Sequence, residues 1–438
     1  MTKHLGLRNS VGRAVWTLSA CVLAVVLTAG TQVGCAPSVP SVRSDVIIDT
    51  ENVDVLLDRY TESQKDAGCA MRLLIDNEDT YEAFREVITS AESTLHIATL
   101  FFDDDRGLVA DIALEFAELL AARAREGIEV RVILDGFTQD TLGRADIPQI
   151  LADSGVEVIA FTPPISRSSL NYLFYHAHKK MLIADGRRAI IGGSNYGARY
   201  MMPDHWRDTD VLLDGPVVTT IQQEFLHDWE SMGGSPVPSE QALPALGVAG
   251  ELGIRSIEQR PAEHVFNINN AILVALRLAE HRVLIESPYF NPTDWLIDDL
   301  IAAAGRGVEI VLLTNGPTSM DVSAVYPVVS SWFPTLVDHG IRVFLWDTPG
   351  RTMHSKALVI DDKLAMVGSH NLNGRSILWD TENAVMLTDP SAVAEVHLMV
   401  ETDLAEPHVF EIDRDWLAVN EVGSRGPLSV PVLLGVHF

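Results

Sequence analysis

The chain repeats itself at long range, and that repeat limits its possible folds more than any other feature of its 438 residues. Gly127-Ile-Glu-Val-Arg-Val-Ile-Leu-Asp-Gly136 returns 180 positions later as Gly307-Val-Glu-Ile-Val-Leu-Leu-Thr-Asn-Gly316. A period of that length is far beyond a solenoid unit and marks a duplicated domain. The surroundings repeat in the same order. Leu95–Phe102, a helical stretch Leu108–Arg125, then strands Val130–Leu134 and Val156–Phe161 are answered by Val283–Ile285, Trp295–Ala304, Ile310–Leu313 and Val343–Trp346. Gly155 and Gly340 precede the last strand of each set. Short apolar runs alternating with helical periodicity predict an α/β fold with largely buried strands.

Changes in composition suggest the boundaries. Pro/Ser-rich residues from Ala36 to Arg43 and a Pro/Gly-rich stretch from Gly233 to Pro261 read as linkers. The expected plan is a leader over 1–35, a linker and extension over 36–71, a first domain over 72–235, a linker over 236–264, a second domain over 265–405 and an extension over 406–438. Lys3, Arg8 and Arg13 come before a charge-free run of 17 residues, Ala14–Gly30, which is the layout of a bacterial export signal. That run is also at the lower limit for spanning a bilayer, so a retained anchor stays open beside a cleaved leader. Val33-Gly34-Cys35 resembles the lipobox of bacterial lipoproteins, which makes Cys35 the lipidation candidate. The expected location is the bacterial cell envelope, on the exported side.

Both halves carry one polar pattern. His178, Lys180 and Asp185 are followed by Asn195; His354, Lys356 and Asp361 are followed by Asn371, at identical intervals. On a strand, positions i and i+2 share a face, so each His and Lys would act together on one phosphate. One such pattern is weak evidence, whereas two inside a repeat exclude coincidence. The chain has only 6 Lys against 26 Arg, yet both motif slots hold Lys, which points to a need for compact ammonium charges.

The paired H-x-K-x4-D motifs resemble the phospholipase D superfamily over about residues 72–405. Gly192-Gly193 with Asn195, the string Trp206-Arg207-Asp208-Thr209-Asp210, Ser287-Pro288-Tyr289-Phe290, and Gly368-Ser369 with Asn371, Arg375 and Ser376 resemble its bacterial cardiolipin synthase branch. The resemblance implies two duplicated phospholipase D-like domains, each a mixed β-sheet flanked by helices, meeting about a pseudo-twofold axis with one active site between them. It implies His178 as nucleophile and His354 as acid and base, through a phosphohistidine. It also implies that Lys180, Lys356, Asn195, Asn371 and Ser369 hold phosphate oxygens, with Glu382 and Asp210 as acidic partners of the histidines. Asp185 and Asp361 complete the catalytic motifs, although their place after each strand suits ordering of the loop.

Phosphodiester exchange needs a nucleophile, a proton donor for the leaving alkoxide, and positive charge around the phosphoryl oxygens. The two half-sites supply all three with no metal and no cofactor. The expected reaction is phosphatidyl transfer, with phospholipase D-type hydrolysis as the near alternative and a nuclease on the same scaffold as the less favoured one; the expected substrate is a phospholipid resembling phosphatidylglycerol, met at a membrane surface, and the oligomeric state stays open. A net charge of −28 opposes the basic track that a polynucleotide requires, so no nucleic acid partner is expected. An idle lipid-binding module is disfavoured because both half-sites keep their reactive groups. Asp103-Asp104-Asp105 reads as a helix cap, His176 and His370 read as structural, and Cys69 as a buried thiol. Ala324–Val329 with Trp332 and Phe333 suits either a lipid-contacting segment or a buried helix.

Overall fold

Alternating apolar strands and one-sided helices need two layers to bury their faces, and the chain builds them twice around one shared sheet. The computed structural model describes residues 45–161, 175–238 and 242–422. The expected leader and Cys35 therefore lie outside the described residues, and no helix within them is long and apolar enough to cross a membrane.

The strands are β1 (Asp66–Ile75), β2 (Thr94–Thr99), β3 (Glu129–Asp135), β4 (Glu157–Phe161), β5 (Met181–Ala184), β6 (Arg188–Gly192), β7 (Thr209–Asp214) and β8 (Leu252–Arg260). They continue as β9 (Val265–Phe266), β10 (Arg282–Glu286), β11 (Glu309–Asn315), β12 (Arg342–Trp346), β13 (Ala357–Ile360), β14 (Leu364–Gly368), β15 (Glu382–Leu387) and β16 (Val409–Ile412). Their order across the sheet is β16-β12-β11-β10-β13-β14-β15-β8-β1-β7-β6-β5-β2-β3-β4, with β9 beside β8. Read outward from the central pair, β8-β15-β14-β13-β10-β11-β12 mirrors β1-β7-β6-β5-β2-β3-β4. Strands β2, β3 and β4 run parallel, as do β10, β11 and β12, while the inner strands are antiparallel. The antiparallel β1–β8 pair is the seam. Each half is thus a mixed α/β sheet, and the duplication expected from the sequence is the architecture.

The repeated glycines have a local cause. Helices Ile112–Arg125 and Asp294–Gly305 end just before Gly127 and Gly307, whose φ angles of 99° and 93° lie in the region that favours glycine. The first of these helices buries Ile112, Ala113, Phe116, Ala117, Leu120 and Ala121, the one-sided stripe its spacing predicts. Asp111 caps it by accepting from the Leu114 amide at 3.2 Å, and Asp105 accepts from the Ala113 amide at 2.9 Å. In the ambiguous stretch near Tyr326, the structure forms two short helices, Tyr326–Ser330 and Phe333–Asp338, with Val328, Val329, Trp332 and Phe333 buried. Burial accounts for that segment without lipid. Cys69 is a free, buried thiol.

Candidate active site

The motif residues meet at the seam, and backbone hydrogen bonds from the opposite half put them there. His178 and Lys180 precede β5, and their chain is held by the other lobe. The His178 amide donates to the Thr381 carbonyl at 3.1 Å, and the Lys180 amide donates to Asn383 Oδ1 at 3.2 Å. In mirror fashion the Arg207 amide donates to the Thr352 carbonyl at 2.8 Å, and the His354 amide donates to the Arg207 carbonyl at 2.6 Å. The sequence reading put His and Lys on a strand of their own sheet. They lie instead just before that strand, because their polar backbone groups are satisfied across the seam.

The side chains follow the same crossing. His178 Nδ1 donates to Glu382 Oε2 at 2.9 Å. His354 Nδ1 lies between Asp208 Oδ2 at 2.6 Å and Lys356 Nζ at 2.7 Å. The expected partner of His354 was Asp210, and the structure corrects this to Asp208. Gly192 pairs with Asp210 as Gly368 pairs with Ala384, so Asp208 is the true counterpart of Glu382. Asp210 faces the Ser194 amide and the Thr80 hydroxyl, both at 3.2 Å. Burial, followed by repulsion from Asp208, pushes its carboxyl up to about 7.

Burial dominates the electrostatics of the centre. It lowers His178 well below the usual histidine value, with Lys180 adding to the effect. His354 is also lowered by burial and by Lys356, while Asp208 opposes the shift. Lys180 falls to about 7 and Lys356 to about 8, burial being the first cause for each. Lys356 depresses Lys180, and Lys180 depresses His354, so the groups from the two lobes sense one another as one centre.

The surroundings of the two histidines differ. Around His354 stand Trp206, Tyr200 and Tyr289, with ring centroids 5.2, 5.5 and 6.0 Å away. Around His178 stand charged groups: Asp380, Glu382 and Arg375. His178, Asp380 and Glu382 bring ligand-type atoms within 4.8 Å of one another. Arg375 lies 3.3 Å from Asp380, and Glu382, whose carboxyl burial raises, is already bonded to His178 and Ser369, so the donor set does not suit a further cation.

The other expected site residues separate into two groups. Asn195 and Asn371 are buried at the centre; Asn195 Oδ1 accepts from Thr99 Oγ1 and the Leu100 amide, both at 3.2 Å. Ser369, expected on the phosphate, has its hydroxyl donating to Glu382 Oε2, the oxygen that also meets His178, and accepting from the Asn383 amide at 3.0 Å. At the end of β14 its backbone pairs with β15, and this aims the side chain at the carboxylate.

Asp185 and Asp361, assigned to the catalytic motifs, lie away from the chemistry. Asp185 accepts from the amides of Glu92, Ser93 and Thr94, and Asp361 from those of Glu280, His281 and Arg282. Their positive φ angles of 54° and 51° place each at a tight turn, where a carboxylate satisfies free backbone donors. His176 is bound to Asp135 at 3.0 Å, and His370 is buried with its Nδ1 accepting from the Leu372 amide at 3.2 Å. Asp380, Arg375, Asn383 and the aromatic trio were not picked out in the sequence as site residues. Of these, Trp206, Tyr289 and Arg375 fell inside quoted motif strings, and Asp380 and Asn383 inside the string Asp380-Thr381-Glu382-Asn383 read for Glu382.

A duplicated α/β sheet bringing one H-x-K segment from each half to a common seam defines the phospholipase D superfamily. Residues 84–229 and 272–404 match the family described as cardiolipin synthase, PLD-like domain, and the chain belongs to that family. Cardiolipin synthase A of Pseudomonas syringae pv. syringae is 31% identical over 84% of this chain and 76% of its own length. Cardiolipin synthase 2 of Bacillus anthracis is 29% identical over 78% of this chain, and the match spans 66% of that relative, just under two thirds. Among solved structures, phosphatidylserine synthase of Haemophilus influenzae superposes with a TM-score of 0.63 at 15% identity, covering 87% of this chain and 96% of that one. Polyphosphate kinase of Porphyromonas gingivalis reaches 0.52 at 14% identity, covering 82% and 50%. At such identities the likeness concerns the fold.

Proposed function

We propose that the protein is a phosphatidyltransferase that joins two phosphatidylglycerol molecules into cardiolipin and glycerol through a phosphohistidine. The observation that carries this reading is the crossed pairing of His178 with Glu382 and of His354 with Asp208. With Nδ1 donating to Glu382, His178 keeps a lone pair on Nε2 and acts as the nucleophile. Nε2 attacks phosphorus, the P–O bond to glycerol breaks, and His354 gives its proton to the departing alkoxide. The hydroxyl of a second phosphatidylglycerol then attacks the phosphohistidine, returns its proton to His354 and frees His178. Lys180, Lys356 and Asn371 hold the non-bridging oxygens and balance the charge that develops there.

Three things support the assignment of roles. Burial lowers His178 well below its ordinary value, which keeps it in the neutral form that a nucleophile needs. His354 has an acidic partner that favours its charged form. The relatives that match most of the chain are named as cardiolipin synthases. The expected export signal and Cys35 would place this chemistry at the envelope surface.

The test is incubation of the purified full chain with phosphatidylglycerol vesicles, with products followed by mass and His178→Ala as control. Cardiolipin and glycerol formed only by the unaltered protein support transfer. Phosphatidic acid as the sole product replaces transfer by hydrolysis, and no lipid product at all rejects both.

A further inference from the structure

Among the motif residues, Arg207 has no role in the chemistry above, yet it is buried and makes contacts in four directions at the seam. Its amide and carbonyl bond to Thr352 and His354. Its guanidinium grips Asp403, on the helix Pro390–Leu404 of the opposite half, with Nε at 3.0 Å from Oδ1 and Nη2 at 2.6 Å from Oδ2. The remaining nitrogen, Nη1, donates to the Asp208 carbonyl and, at 2.8 Å, to Thr209 Oγ1. Thr209 Oγ1 in turn lies 3.0 Å from the hydroxyl of Ser355, the residue between His354 and Lys356.

This fork fixes the peptide that carries Asp208 and also the segment that carries His354. A planar guanidinium with several directed donors can do this, and a flexible ammonium cannot. Glu286 completes the cluster: burial and the charge of Asp403 push its carboxyl well above the usual range. Among the described residues the other half-site has no such fork. The matching bridges Ala177 to Thr381 and Arg207 to Met353 show that Thr381 occupies the place of Arg207 beside His178.

We infer that Arg207, anchored by Asp403, is a positioning residue for one half-site only: it sets Asp208 against His354 and so serves the proton transfers of His354, leaving nucleophilic attack by His178 unaffected. The inference rests on the two-histidine reading and separates the two half-reactions. A phosphatidyl ester of p-nitrophenol distinguishes them, because nitrophenolate leaves without a proton, whereas breakdown of the phosphohistidine requires His354 to take one from the incoming alcohol or water.

The experiment follows nitrophenolate release from this ester by the full chain, comparing Arg207→Lys and Asp403→Asn with the unaltered protein, with thermal unfolding recorded for each. The expected result is a first-turnover burst within about threefold of the unaltered rate and a steady-state kcat lower by about 30-fold or more, with KM falling in proportion so that kcat/KM is little changed. If burst and steady state fall by the same factor in both variants, or if neither falls, the inference is overturned. If His178→Ala releases nitrophenolate as fast as the unaltered protein, the two-histidine reading itself fails. Should Arg207→Lys not fold, Asp403→Asn, of nearly unchanged shape, decides the matter.

Discussion

Glu382 Oε2 lies 2.9 Å from His178 Nδ1, although 204 residues separate them in the chain. His354 and Asp208 form the mirrored pair at 2.6 Å. Each half of the molecule therefore carries a histidine whose acidic partner belongs to the other half. Duplication explains the likeness of the two half-sites, and the crossing explains why one half alone holds no complete pair.

Removing either histidine is expected to abolish turnover. His178→Ala takes away the proposed nucleophile and His354→Ala the proposed proton carrier, and each should lower kcat by at least about a thousandfold. Lipid product analysis checks this. Near-normal activity in either variant would end the two-histidine mechanism.

The correction from Asp210 to Asp208 makes a sharper prediction. Asp208→Asn leaves His354 without its carboxylate and should cost about a hundredfold or more in kcat. Asp210→Asn should cost less than about threefold, because the carboxylate of Asp210 bonds Ser194 and Thr80 rather than His354. Its effect appears in stability instead. A carboxyl raised to about 7 in the fold, and near 3.8 when unfolded, binds its proton more tightly in the native state, so its contribution to stability falls as pH rises between those values. Asp210→Asn removes that loss. Its melting temperature should exceed that of the unaltered protein by more at pH 8 than at pH 5.

Much of the fold was legible because both signals are local. Repeated glycines after helices and buried four-to-seven-residue strands leave a clear periodic trace, and the repeat fixed their correspondence. The partner of His354 was not legible in the same way. The stretch between Asn195 and Asp208 is two residues longer than that between Asn371 and Glu382, so matching by letters set Asp210 in the wrong place. Only the β6–β7 and β14–β15 ladders restore the register. Ser369 shows a similar limit: its motif position was plain, but the direction of its hydroxyl depends on strand pairing. The aromatic surroundings of His354 come from three separate segments that share no spacing.

Asp185 and Asp361 belong to the sequence motif but serve the turns after β5 and β13. Asp185→Ala frees three backbone amides and should destabilise the fold by about 2 kcal/mol while kcat in the folded protein stays within about threefold. Chemical denaturation beside steady-state assays checks both parts. A loss of kcat with unchanged stability would return this residue to the chemistry.

Excess chelator should leave the proposed phosphatidyl transfer unchanged, since in that mechanism two histidines and two ammonium groups supply the nucleophile, the acid and the charge. Activity lost with EDTA and restored by a divalent ion would make the trio of His178, Asp380 and Glu382 a metal site.

The pH dependence should be shifted toward acid. In the proposed mechanism Lys180 and Lys356 hold the phosphate only as ammonium ions, and with values of about 7 and about 8 they lose that form as pH rises through this range. The alkaline limb of kcat/KM, which reports the free protein, should therefore begin near pH 7, far below the ordinary lysine value of 10.5. On the acid side His178 must be neutral, and because it lies well below 6.5 its limb is displaced to lower pH. A bound phosphodiester brings a negative charge beside both lysines and favours their protonated forms. The alkaline limb of kcat should accordingly lie at higher pH than that of kcat/KM. Measuring both parameters across this range with short-chain phosphatidylglycerol tests the idea. A flat kcat/KM up to pH values near 10 would show that the lysines keep ordinary affinity for protons and that burial does not set the charge of this centre.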